Sequence, residues 1–241
     1  NHSFVYNTAG LAAVTFATGA YATWGLTFYH RVRGMSEKDA GLWIGAMTLL
    51  AGLFGIPLGA WVADRLLRYT RRAYLLWAGV AVLTAAPFCL LAILVPDRNP
   101  SLTCLFIGML FLAAVLGPCN TVTANVVPAN QRAAGFALSI FLLHLFGDIS
   151  SPALIGVVSE WLGQPAVAGS LLGQALALIG AGPVPSPTGP SNLTAGMLLV
   201  VPMMTLGALF FFVGTKSLVS DQQHASELSS GKHDRGMEPG H

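Results

Sequence analysis

Charge withdraws from long stretches of this chain. Runs free of Asp, Glu, Lys and Arg cover Phe4–Tyr29, Leu42–Ala63, Ala73–Pro96, Ser101–Gln131 and Trp161–Thr215. Each reaches the about 20 apolar residues that a bilayer-crossing helix needs. Read against turn signals, the pattern predicts six spans near 4–29, 41–63, 73–96, 101–127, 134–162 and 193–215. The segment 163–192 is expected to be a non-cytoplasmic loop. Its stretch 166–180 is apolar but glycine-broken and too short to span, so it reads as an interfacial or re-entrant helix ahead of the proline-rich PVPSPTGPS. The polar tail 216–241 is expected to be cytoplasmic and disordered.

Composition turns this pattern into a class. Of 241 residues, 54% are hydrophobic and 9% charged, against roughly 25% charged in ordinary soluble domains. A water-soluble globule is excluded, and the chain reads as an all-α, multi-pass integral membrane protein. The net charge of +2 is small and scattered, leaving no basic face for nucleic acid. Cys89, Cys104 and Cys119 fall inside apolar runs without metal or disulfide spacing, and no cofactor is implied. The opening NHSFVYNTAG lacks Met and signal-peptide features, so the chain reads as part of a longer one. Arg65, Arg68, Arg71, Arg72, Arg132 and Lys216 would share one side of the membrane, against Arg31, Arg33, Lys38 and Arg98 on the other. The positive-inside rule then places both termini in the cytoplasm.

The spans differ in polarity. The third and sixth carry few groups able to bond a solute and are expected to be outer, lipid-facing helices. The first carries Asn7, Thr15 and Thr18, and the fourth Asn120, Thr123 and Asn125, groups that hydrocarbon disfavours and that are expected to line a cavity. A single Thr is a weak signal, because it can bond its own helix carbonyl one turn back. Asn120 has more bonding capacity than a helix can satisfy locally, and reads either as an interhelical clamp or as a cavity-lining group. Glycines in the second span, including GLWIG and GIPLG, permit close helix approach. Pro57, Pro87, Pro118, Pro152 and Pro202 predict kinks in the second to sixth spans.

Deep in the fifth span lies HLFGDISSP, where His144, Asp148 and Ser151 follow on one helical face. An intramembrane carboxylate is costly unless protonated or paired, so the pair is read either as a proton-coupling site or as an interhelical pin. The His-x-x-x-Asp spacing also suits a metal-cation efflux carrier, but such carriers need a second ligand pair, and none is present. A six-span non-transport protein, such as an intramembrane enzyme or a lipid-binding scaffold, remains the alternative from another functional class.

These residues carry a resemblance. Asn1, Ser3, Phe4 and Val5, the FATGA stretch with Trp24, Asn120, the Pro128–Arg132 loop, and H-L-x-G-D-x-x-S-P from His144 to Pro152 with Gly156 and Ser159 resemble the spinster family of the major facilitator superfamily. The likeness covers nearly all of residues 1–215 and implies the carboxy-terminal six-helix half of a transporter, built as two inverted three-helix repeats. It implies no enzyme activity. The expected function is export of an amphipathic, lipid-like substrate such as a lysophospholipid or sphingoid phosphate, often proton-coupled, by alternating access. The expected partners are the missing amino-terminal six-helix half, the substrate, protons and membrane lipids, and the short loops suggest a bacterial inner membrane. Gly59, Asp64, Arg65 and Arg68 look like the superfamily's loop motif, with the Gly-to-Asp spacing one residue longer.

Overall fold

A computed structural model describes residues 1–183 and 191–235. The described residues form helices and no strand. They are α1 (His2–Arg31), α2 (Glu37–Leu67), α3 (Ala73–Leu94), α4 (Arg98–Ala113), α5 (Leu116–Val126), α6 (Arg132–Leu143), α7 (Ser150–Gly163), α8 (Pro165–Ala168), α9 (Leu171–Leu178), α10 (Leu193–Met197), α11 (Val200–Gly214) and α12 (Leu218–Arg235). A π-turn, His144–Asp148, joins α6 to α7. The stretch Pro183–Ser191, expected to be a proline-rich connector, lies mostly outside the described residues.

Among the described residues, five stretches are long and apolar enough to cross a membrane: Glu37–Leu67, Ala73–Leu94, Arg98–Val126, Ala129–Gly163 and Leu193–Gly214. The sixth expected span, α1, has 30 residues but is not among them, because Ser, Asn, Thr and Gly dilute its apolar face. Yet α1 is the hub of the bundle, packed against α11, α2, α5, α6, α7 and the π-turn. Phe16, Ala17, Ala20, Tyr21, Phe28 and Tyr29 of α1 are almost wholly buried. α11 also packs on α3, α3 on α4, and α4 on α2.

Three prolines, Pro118, Pro152 and Pro202, mark helix breaks. Each lacks an N–H, so the carbonyl four residues earlier loses its helical partner. Pro118, Pro152 and Pro202 stand four residues after Ala114, Asp148 and Leu198, which lie at the α4–α5 junction, the π-turn and the α10–α11 junction. The freed Ala114 carbonyl accepts a hydrogen bond from Trp77 Nε1 at 3.3 Å. α2 and α3, by contrast, continue through Pro57 and Pro87.

The expectation of a disordered tail is corrected over Leu218–Arg235, while residues 236–241 lie outside the described residues. Residues from Leu218 form α12, which returns across the end of the bundle where α1 begins. Asp221 Oδ2 accepts from the Ser3 backbone N–H at 2.8 Å, the Ser3 and Ser217 hydroxyls lie 2.9 Å apart, and Ser229 Oγ accepts from Ala129 N–H at 3.1 Å. A polar sequence forms a helix here because the bundle supplies partners that its own composition does not reveal.

The α2 glycines divide by use. A Cβ at Gly59 would lie 1.9 Å from the Ala114 carbonyl oxygen, and one at Gly55 2.6 Å from that of Leu110, whereas Gly45 has nothing within 4 Å. Gly59 therefore seats the α4–α5 junction against α2. Gly59→Ala is expected to destabilise the fold by about 1–3 kcal/mol through overpacking against backbone, seen as an earlier thermal denaturation in detergent, while Gly45→Ala leaves the transition unchanged.

Candidate functional site

A cavity of about 740 Å³ opens between α1, α2, the α4–α5 junction and the α6–π-turn segment. Its walls are mainly apolar, with Leu11, Val14, Met109, Leu112, Ile140 and Leu143 among them, and Thr15, Thr18, Thr23, Thr48, Asn120, His144 and Asp148 form its polar part. No residue of α3, α10 or α11 lines it. Those helices nevertheless do more than face lipid: Val82 of α3 and Met204 of α11 are completely buried in the core.

The π-turn shapes the polar wall. Ile149 N–H donates to His144 O at 3.0 Å, closing the wide turn, and Ser150 Oγ donates to Phe146 O at 2.5 Å. These bonds serve carbonyls within the bulge. His144 Nδ1 and Asp148 Oδ2 are 2.5 Å apart, with the side chains 54% and 35% exposed. The pair is thus on the cavity surface and not sealed in the core, which removes much of the cost of burying charge.

Small residues of α1 make room for this pair. A Cβ at Gly19 would sit 2.8 Å from Asp148 Oδ1 and 2.9 Å from Ser151 Oγ, and one at Gly147 would lie 2.6 Å from Thr15 Cβ. Ser151 is buried, outside the cavity lining, and its Oγ has no hydrogen-bond partner among the described residues. Trp24 Nε1 donates to Pro152 O at 3.1 Å and ties α1 to the start of α7. Trp24, Gly19 and Gly147 complete the environment of the pair. Spacing alone gave no reason to single out the two glycines, whose role appears only where α1 crosses the π-turn.

Five of the expected cavity and pair residues therefore come together: Thr15, Thr18, Asn120, His144 and Asp148. Thr15 and Thr18 also bond carbonyls of their own helix, at Leu11 and Thr15. Asn120 is exposed in the cavity wall. Three expectations are corrected. Asn7 and Thr123 are buried, and Asn7 Nδ2 donates to Cys119 O at 3.1 Å and to Thr123 Oγ1 at 3.0 Å, so they clamp α1 to α5 and do not line the cavity. Asn125 faces a separate small groove shared with Arg132 and α12, because it lies at the far end of α5.

The loop-motif residues stand apart from the cavity. Gly59 is a packing contact, Asp64 Oδ1 accepts from Tyr74 O–H at 2.9 Å, the Arg65 guanidinium lies 5.6 Å from the Trp61 ring centre, and Arg68 caps α2 at the surface. Asp64 is thus held by a neighbouring helix through a neutral phenol.

No family model matches the chain. It is 32% identical over 181 residues to protein spinster homolog 1 of Xenopus laevis, covering 69% of this chain and 34% of that protein. It is 31% identical over 242 residues to a sphingosine-1-phosphate transporter of Danio rerio, covering 94% of this chain and 44% of that protein. The chain thus spans half or less of the length of these curated relatives. Its fold matches the crystal structure of a bacterial homologue of the human lysosomal transporter Spinster, in an inward-facing and occupied conformation. The TM-score is 0.70 at 22% identity, over 92% of this chain and 50% of that one. Sequence likeness along most of the chain, joined to this fold, leads to one family: the chain belongs to the spinster family of the major facilitator superfamily and corresponds to its carboxy-terminal half.

Proposed function

We propose that this chain is half of a secondary active transporter that exports an amphipathic, lipid-like substrate such as a lysophospholipid or sphingoid phosphate. The observation that carries the reading is the cavity: a mainly apolar chamber with a few polar groups in its wall suits a molecule with a hydrocarbon chain and a polar head. The naming of a Danio rerio relative as a sphingosine-1-phosphate transporter supports the same substrate class.

In this reading the six-span half consists of two inverted three-helix repeats, α1–α3 and α4–α11, with α1 as a span despite its polarity. The absent amino-terminal half covers the exposed apolar faces of α2 (Leu49, Leu53) and of the α6–α7 segment (Phe141, Phe146, Ile149). The two halves rock about the cavity to give alternating access. Both termini and α12 are cytoplasmic, α9 lies in the opposite interface with Leu171 and Leu178 outward, and the membrane is a bacterial inner membrane. The cavity has no Lys or Arg among its described lining residues, so the countercharge for an anionic head comes from the other half. His144 and Asp148 carry the proton, since a carboxylate and an imidazole in contact at a cavity wall can exchange one between membrane sides.

In the full-length transporter, Asp148→Asn is expected to lower pH-gradient-driven lipid export on the order of tenfold while folded protein is recovered normally. Unchanged gradient dependence leaves the pair a packing contact. The cavity has its own test, in a background lacking the native cysteines. Cysteines at positions 15, 18 and 120 are expected to react with a membrane-impermeant thiol reagent, and those at 7, 82 and 123 are not. Equal labelling of both sets contradicts the cavity assignment.

A further inference from the structure

A second groove, of about 410 Å³, runs along the seam between α2 and α4 at the end of the bundle away from α12. Trp43, Met47 and Leu50 follow at i, i+4 and i+7 on α2 and form one stripe, whereas Thr48, Ala51 and Gly52 form the neighbouring stripe that opens on the central cavity. The groove is therefore separate from that cavity, and its occupant does not depend on the transport reading.

Its polarity is graded along the membrane normal. Thr48 Oγ1 approaches Met109 Sδ at 3.9 Å, and both residues stand eleven positions after the first residues of their helices, Glu37 and Arg98. α2 and α4 thus run side by side in the same direction and begin at one level, the boundary of both spans. With a rise of 1.5 Å per residue, Trp43 lies about 9 Å below that level, Phe106 about 12 Å and Leu50 about 20 Å. The groove is cationic and polar at Arg98 and Asn99, then apolar, apart from Thr103, whose hydroxyl bonds its own helix at Asn99 O, for about the depth of one leaflet's hydrocarbon, roughly 15 Å. Arg98 is exposed and makes no ion pair among the described residues. Three acids stand near its level: Glu37, engaged by His30 at 3.8 Å, Asp39 in the first turn of α2, and Asp97, the N-cap of α4.

We propose that this groove binds an anionic phospholipid, its phosphate held by Arg98 and Asn99 and one acyl chain laid along Trp43, Phe106 and Leu50. A guanidinium can donate two parallel N–H bonds to a phosphate, and the apolar wall below it is of no use to a free inorganic anion.

Trp43 is a built-in reporter. In the full-length protein reconstituted in phosphatidylcholine–phosphatidylglycerol vesicles, its emission is taken as the difference from Trp43→Phe. Brominated acyl chains are then placed on one lipid at a time. Phosphatidylglycerol is expected to occupy the groove with about five-fold preference, the share of one cationic side chain at a membrane surface. Arg98→Gln should abolish the preference and Arg98→Lys keep most of it, with unchanged far-ultraviolet circular dichroism in both. Equal quenching by the two lipids, or a preference that survives Arg98→Gln, overturns the proposal. Absence of quenching by either lipid also overturns it, since it means that protein covers the groove.

Discussion

A bilayer core has no water to offer an unpaired carbonyl, and this constraint organises the bundle. Prolines and helix ends interrupt the ladder of backbone bonds, and side chains from other helices bond carbonyls at or near these breaks. Tyr21 O–H donates to Cys89 O, Asn7 to Cys119 O, Trp24 to Pro152 O, and Asn1 Nδ2 to Val126 O. All four donors belong to α1 or to the residue that caps it. Around the same centre, Ser101 Oγ donates to Ala92 O and Arg33 Nη2 to Ile93 O, closing the end of α3. The polarity that keeps α1 below the composition of a membrane span is thus largely the polarity that holds the other helices to it.

The positions of the apolar helices and of much of the cavity wall were legible in the sequence. Charge-free runs mark apolar helices because charges are costly there, and a carboxylate such as Asp148 in the middle of one has few tolerable surroundings. What spacing cannot say is which neighbour a polar face meets. Asn7 and Thr15 both read as polar residues of one helix, yet Asn7 turns to the α5 backbone while Thr15 turns to the cavity. Asn125 was misplaced for a related reason: the groove that it faces is completed by α12, and a helix polar on most sides has no periodic signal to announce it.

The His144–Asp148 spacing was read as one ordinary helical turn. The π-turn changes its geometry but not the contact, since the wider turn still brings the two side chains together. What the pattern omitted was the other side of the contact. Gly19 and Gly147 matter because α1 passes so close that a methyl group would displace the carboxylate or the backbone, and closeness between distant segments has no signature in either segment alone.

The pairing of α1 with α11 and α12 has a consequence in time. Ser3 bonds Asp221 and Ser217, more than two hundred positions along the chain. A ribosome delivers α1 long before these partners exist, at about 5–20 residues per second. For that interval the Ser3 N–H and hydroxyl at the start of α1 wait without these partners. Folding of this half therefore closes from α12 back onto α1, and anything that delays α12 prolongs the period in which the start of α1 lacks these partners.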